Sequence, residues 1–236
     1  MKQQTERELL KIVKNNYEEI AEHFSETRKK EIWPELKKIA SDTPKDSKIL
    51  DLGCGNGRLI DAFDREINYY GIDQSKGLIK IAQERYPEQT FFDANILKLN
   101  EINFKEKNTP SKFDFIFSIA VLQHIPGKKK RIELIKNLKN YLEPNGKIIF
   151  SNWNMWEIKK YKKLIYKTYL LKLLGKNKLD FGDIIFDWKN SSGKISSRRY
   201  YHAFRKKELK EIFTKAGFKI EKLYKDKYNF YIIAKS

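Results

Sequence analysis

The chain reads as an α/β protein, a doubly wound, mostly parallel seven-stranded sheet with helices on both faces and a C-terminal antiparallel hairpin. Three observations carry that reading. Short β-branched or aromatic runs alternate with helical patterns from Ser47 onward. The first run, Ile49-Leu50-Asp51-Leu52, empties into Gly53-Cys54-Gly55-Asn56-Gly57 and then a helical pattern, the mark of strand, tight ligand loop and helix start. The second run, Tyr69-Tyr70-Gly71-Ile72, ends in Asp73, about twenty residues on, where an acid at a strand end accepts hydrogen bonds from ribose hydroxyls.

Taken in order, Thr5 to Phe24 sets Leu9, Leu10, Val13, Tyr17 and Ile20 on one helical stripe, a lid or platform helix. Ser25-Glu26-Thr27-Arg28 offers a capping serine to a second helical segment, with Trp33-Pro34 early in it, where proline is tolerated. Arg28 reads either as a solvated helix charge or as a functional cation. Strand Ile49–Leu52, a helix from Arg58, strand Tyr69–Ile72, a helix from Gln74 to Tyr86 and strand Thr90–Phe92 make one mononucleotide-binding half. After the polar loop Asn100 to Lys112, the strand Phe113 to Ser118 suits burial on both faces. A helix from Lys128 to Leu142, the turn Glu143-Pro144-Asn145-Gly146 and strand Lys147–Phe150 follow.

Ser151 to Ser197 breaks the alternation. It mixes lysines with Trp153, Trp156, Tyr161, Tyr166, Tyr169 and Trp188, and places Ile158, Tyr161, Ile165 and Tyr169 on one helical face. Either the aromatics pack on the sheet and the lysines are solvated, or cations track phosphates while aromatics stack on bases. A membrane-surface helix fits less well inside an α/β core. Arg198 to Phe204 then leads into a helix from Lys206 to Ala216, stopped by Gly217, and Phe218 to Tyr224 with Tyr228 to Ala234 alternates like a two-stranded finish. The organisation is one domain over 1–236: a helical lid (1–46), a cofactor core (47–150), a basic aromatic insertion (151–197) and a C-terminal helix and hairpin (198–236).

The 236 residues suffice for a full α/β core. Lys and Arg number 49 against 31 acids, a net charge of +18. That balance suits a polyanionic partner, because each neutralised phosphate releases counterions, although a lysine-rich proteome leaves the same trace. The single cysteine, Cys54, excludes an intrachain disulfide and a cysteine zinc site and makes a reducing, cytoplasmic setting the default. The polar start Met1 to Glu6 has no apolar signal core, and the longest apolar run, Phe113 to Ile125, is interrupted by polar residues and too short to cross a bilayer. A soluble protein with no membrane partner is expected.

The glycine loop limits the ligand. A dinucleotide fingerprint needs its third glycine one place later, so this loop suits a smaller anion, such as the carboxylate of S-adenosylmethionine. With that donor the reaction is an in-line methyl transfer, in which positioning and a dry, polarised site supply most of the catalysis. The segment Ile119-Ala120-Val121-Leu122-Gln123-His124 lacks the Asn/Asp-Pro-Pro-aromatic set that grips an exocyclic amine, and Cys54 sits in the cofactor loop rather than near an acceptor. Methylation of base amines and of pyrimidine C5 are both disfavoured. His124, His202, Arg28 and Arg199 remain near the expected site and suit an acidic acceptor oxygen, which is ionised at neutral pH and needs orientation rather than a strong base. Each histidine alone also reads as a satisfied structural imidazole.

At these residues the chain resembles a family, the tRNA wobble-uridine carboxymethyl methyltransferases, including the methyltransferase half of the vertebrate enzyme fused to an AlkB-type domain. The resemblance rests on Tyr17 to Arg28 with Trp33-Pro34, the loop Asp51 to Gly57, Ser118-Ile119-Ala120-Val121 with His124, and Arg199 to Phe204 with Glu208-Leu209. It implies a Rossmann-like class I methyltransferase that uses S-adenosylmethionine to form the methyl ester of a 5-carboxymethyluridine in the anticodon region of tRNA. Asp51, Gly53, Cys54, Gly55, Asn56, Asp73 and Gln74 would hold methionine and ribose, Asp93 and Ala94 the adenine, with Ile119 and Ala120 beside them. Arg28, His124, Arg199 and His202 would face the acceptor. The chain departs from the family where two adjacent histidines are usual and it has Gln123-His124, and where a Pro-Trp pair is common and it has Asp187-Trp188. Eukaryotic members act with a small zinc-binding activator subunit, which the resemblance offers as a partner. A small-molecule O-methyltransferase and a non-catalytic RNA-binding subunit are the alternatives.

Overall fold

Leu50 and Leu52 pack into one hydrophobic layer and Ile49 into the other, so the first strand, β1 (Lys48–Leu52), is covered on both faces and lies inside the sheet. A computed structural model describes residues 1–27, 31–104, 109–189 and 195–236. β1 pairs in parallel with β2 (Asn68–Asp73) and β4 (Phe113–Ile119), which pair in turn with β3 (Thr90–Asp93) and β5 (Leu142–Trp153). β9 (Asn229–Lys235) runs antiparallel between β5 and β8 (Lys219–Lys225), giving the order β3-β2-β1-β4-β5-β9-β8. The predicted seven strands and terminal hairpin are there. The order of strand addition reverses between β1 and β4, and a crevice opens beyond their C-terminal ends.

Helices α4 (Lys128–Asn137) and α6 (Lys206–Lys215) cover one face, burying Leu134, Ile135, Ile212 and Phe213 against Leu50, Ile116 and Ile148. On the other, α2 (Pro34–Ser41) and α3 (Lys76–Arg85) bury Leu36, Ile39, Ile79 and Ala82 against Ile49, Phe117 and Ile149. The long first helix, α1 (Gln3–Thr27), lies across the crevice. Its Leu9 and Val13 pack on Tyr200, and Gly77 of α3 comes so close to Ala21 that an added Cβ would stand 2.9 Å from it.

Four expectations are corrected. The segment after the glycine loop is a five-residue 3-10 turn, Arg58–Ala62, rather than a helix, because Phe63 turns extended (φ −89°, ψ 132°) and sets its ring 5.7 Å from Phe117. The helix ends at Asn137 and continues only as a 3-10 turn over Leu138–Tyr141. The turn at 143–146 is an irregularity inside β5: Phe113 pairs with Leu142 but Phe115 with Lys147, and the strand then runs on to Trp153 because β9 pairs with it that far. Finally, the insertion holds a helix, α5 (Lys159–Leu173), and an unforeseen antiparallel hairpin, β6 (Asp183–Lys189) with β7 (Ile195–His202). A buried aspartate at the head of β6, Asp183, masks the strand pattern in the sequence. Among the described residues no helix is long and apolar enough to cross a membrane.

Candidate active site

The crevice is one continuous cleft whose two ends have different chemistry. At the first end, Gly53, Gly55 and Gly57 all take positive φ, and a Cβ on Gly53 would stand 2.5 Å from Val121 Cγ2. The loops after β1 and β4 therefore touch, and only glycine fits at Gly53. Asp73 braces the loop: Gly55 N–H donates to its Oδ2 at 3.0 Å and Ser75 N–H to its Oδ1 at 2.9 Å. Burial raises its pKa, and these backbone donors oppose the rise. Because a carboxylate has about four acceptor sites, Asp73 keeps capacity for hydroxyl donors from a ligand.

Asp51 is 2 % exposed, and its Oδ2 accepts from Tyr69 O–H at 2.6 Å, while Oδ1 has no partner among the described residues. Burial first, and the neighbouring Asp73 charge after it, push its carboxyl up to about 7, against the Tyr69 hydrogen bond. An orphaned carboxylate oxygen beside a glycine cradle fits a ligand that brings a cationic group, and the amino acid end of S-adenosylmethionine carries an ammonium. Asn56 Nδ2 donates to Ser25 Oγ at 3.0 Å and ties the loop to α1. Gln74, Ile119 and Ala120 line the cleft; Ala120 sits at φ +58° with its N–H bonded to Ser151 O at 3.0 Å. A non-glycine residue held left-handed at a strand end is the kind of strain that collects at ligand sites.

Cys54 also lines the cleft, but burial lifts its thiol well above the usual range, and its Sγ fills the space that a Cβ on Gly71 would need, at 2.8 Å. It packs and does not attack. Asp93 is exposed, and neither it nor Ala94 is part of the cleft wall, which is made there by Asn95, Ile96 and Leu97. At this turn Ala94 N–H is tied back to Asp73 O at 2.9 Å, and Asn95 Oδ1 accepts from Leu97 N–H at 2.9 Å. The short 3-10 turn also removes the helix dipole expected behind the loop, leaving anion binding to the loop's own N–H groups.

The second end of the cleft is aromatic. His124 is buried, and Tyr17 O–H of α1 lies 2.9 Å from its Nε2. Burial, and then the positive charge of Arg199, push the imidazole pKa down to about 3, so His124 is neutral at pH 7 and its Nε2 shares one hydrogen with the Tyr17 hydroxyl. His124 thus offers a neutral hydrogen-bonding group rather than a cation. Tyr201 packs edge-on at 4.5 Å from the His124 ring centroid, and Trp153 stands 5.1 Å from Tyr201. Arg199 is 3 % exposed and donates from Nη1 to Tyr201 O–H at 3.1 Å, behind the wall of the cleft.

His202 lies elsewhere. Side chains alternate along β7, so Arg199 and Tyr201 share one face while Tyr200 and His202 take the other. His202 Nδ1 lies 2.7 Å from Asp183 and Nε2 2.9 Å from Glu208. Tyr200 O–H donates to Asp183 at 2.7 Å, and Arg131, 1 % exposed, sits 3.7 Å from Asp183 and 3.6 Å from Glu208. This buried network pins the hairpin to α4 and α6. Arg28 lies outside the described residues. Tyr17, Gln123, Trp153 and Tyr201 line the cleft without having been singled out as site residues; the apolar periodicity that placed Tyr17 in a core stripe is what hid it.

A sheet of this order with a glycine-loop donor cleft at its switch point defines the class I methyltransferase fold. The chain matches the family model described as "Methyltransferase domain" over residues 24–223 and belongs to that family, with S-adenosylmethionine as the cofactor. It is similar to the tRNA (carboxymethyluridine(34)-5-O)-methyltransferase of Schizosaccharomyces pombe, 27% identical over 235 residues that cover 92% of this chain and 93% of that one. The Saccharomyces cerevisiae protein of the same name is 35% identical over 137 residues, 58% of this chain and 46% of its own length, so the match spans about half of that relative. Among solved structures, a SAM-dependent methyltransferase from Methanosarcina mazei superimposes with a TM-score of 0.66 at 21% identity, covering 87% of this chain and 98% of that one.

Proposed function

We propose that this methyltransferase esterifies the carboxylate of a 5-carboxymethyl group on the wobble uridine of tRNA. The observation that carries the reading is similarity along nearly the whole chain to the fission yeast enzyme named for that reaction. The chemistry of the cleft supports it. S-adenosylmethionine, when bound, supplies an activated methyl group; the residues of this chain supply position. A carboxylate acceptor is already ionised at neutral pH, so the neutral His124–Tyr17 pair need abstract no proton and can serve to orient the acceptor. Trp153 and Tyr201, packed edge to face, give an aromatic corner against which a base can pack.

The charge of +18 and the exposed lysines of α5, among them Lys162, Lys163 and Lys167 beside Tyr166 and Tyr169, fit an RNA backbone. A cytoplasmic setting goes with this reading, and a small zinc-binding subunit of the kind that activates eukaryotic members is the partner to supply in the assay. The test incubates the protein, with and without such a subunit, with labelled S-adenosylmethionine and tRNA bearing 5-carboxymethyluridine, then digests to nucleosides and identifies the product by mass spectrometry. A labelled methyl ester at the wobble nucleoside is expected. Label in a small metabolite and none in tRNA would overturn the reading.

A further inference from the structure

Gln123 follows β4 in the short 3-10 turn Leu122–His124, is 1 % exposed, and forms part of the wall at the aromatic end of the cleft. Its Oε1 accepts from Trp153 N–H at 3.0 Å. That bond settles which end of the amide is oxygen, so Nε2 must be the donor end. Nε2 is buried and has no partner among the described residues. A buried amide donor left unmet is costly, and among native proteins such a group is an exception that asks for a ligand or a bound water.

The surroundings narrow the ligand. The carboxylates of the cleft, Asp51 and Asp73, lie at the glycine-loop end and are engaged with Tyr69 and with the loop backbone. Around Gln123 the lining is Tyr17, His124, Trp153 and Tyr201. Arg199 stands behind Tyr201, and its field disfavours a proton on His124; the same field favours an anion in front of that wall. We propose that the Gln123 amide nitrogen is the hydrogen-bond donor that recognises a carboxylate oxygen of the methyl acceptor, making Gln123 a specificity-determining residue. The proposal rests on the acceptor class inferred above. It also gives a reason for glutamine at this position: unlike a histidine, it anchors to the β5 backbone with one end and keeps two N–H donors on the other.

The experiment compares wild type, Gln123→Glu and Gln123→Leu on tRNA bearing 5-carboxymethyluridine, with S-adenosylmethionine affinity measured by calorimetry and folding by thermal melting. Gln123→Glu keeps the shape and the acceptor for Trp153 N–H but sets a negative charge against the acceptor. A loss of roughly 10- to 100-fold in kcat/KM is expected for it, with cofactor affinity within about twofold. Gln123→Leu, which removes the donor without adding a charge, falls between the two. An active wild type matched by both variants within about threefold overturns the role of Gln123 alone. A wild type inactive on this tRNA, yet able to bind the cofactor, overturns the acceptor reading on which the role depends.

Discussion

Asp51 should couple cofactor binding to pH. Its carboxyl is pushed from 3.8 up to about 7, which at 1.36 kcal/mol per unit makes ionisation of the buried group about 4 kcal/mol harder than in water. A cationic ligand group beside the orphaned Oδ1 needs the ionised form, so binding must draw the proton off. S-adenosylmethionine affinity should be flat above pH 8 and fall about tenfold per unit below pH 7. Calorimetry in two buffers of different ionisation enthalpy should find about half a proton released per cofactor bound near pH 7. Stability of the ligand-free protein carries the opposite sign. Because the folded-state pKa is raised, the folded chain holds the proton more tightly than the unfolded one, so the contribution of Asp51 is fully present below about pH 4 and is lost as pH rises through 7. Asp51→Asn should thus melt higher than wild type at pH 8, bind the cofactor at least roughly tenfold more weakly, and lose the pH dependence. Cofactor affinity that is constant from pH 6 to 8 with no proton release would refute the assignment of Asp51 to the cationic end of the ligand.

Gly53→Ala should destabilise the fold by about 1–3 kcal/mol and abolish cofactor binding, since the new Cβ meets Val121 at 2.5 Å in a left-handed backbone; denaturant melts and calorimetry read the two effects. Tyr17→Phe removes the hydroxyl at His124 Nε2 and should cost about 1 kcal/mol of stability while lowering turnover and leaving cofactor affinity unchanged; single-turnover kinetics distinguish these. His202→Ala should act through the fold, not the chemistry. It leaves Asp183 and Glu208 short of a partner in a buried network, a loss of about 3 kcal/mol by chemical denaturation, and kcat per folded molecule should hold.

Much of the cofactor end was legible in the chain itself. A strand covered on both faces, three glycines at alternate positions and an acid at the next strand end define their own geometry through short-range sterics and hydrogen bonding, so Asp51, Gly53, Gly55 and Asp73 fall together without reference to distant residues. The acceptor end follows a different rule. Tyr17, Gln123, Trp153 and Tyr201 come from a helix, a turn after β4, the end of β5 and a hairpin, and only tertiary packing brings them to one wall. Which face of β7 meets the cleft is set by the register of that hairpin on the core, because side chains alternate; a single step decides that Tyr201 looks toward the site and His202 toward Asp183 and Glu208. Charge state belongs to the same category. The residue type makes His124 titratable, but burial beside Arg199 holds it neutral, and burial from water is a property of the folded molecule.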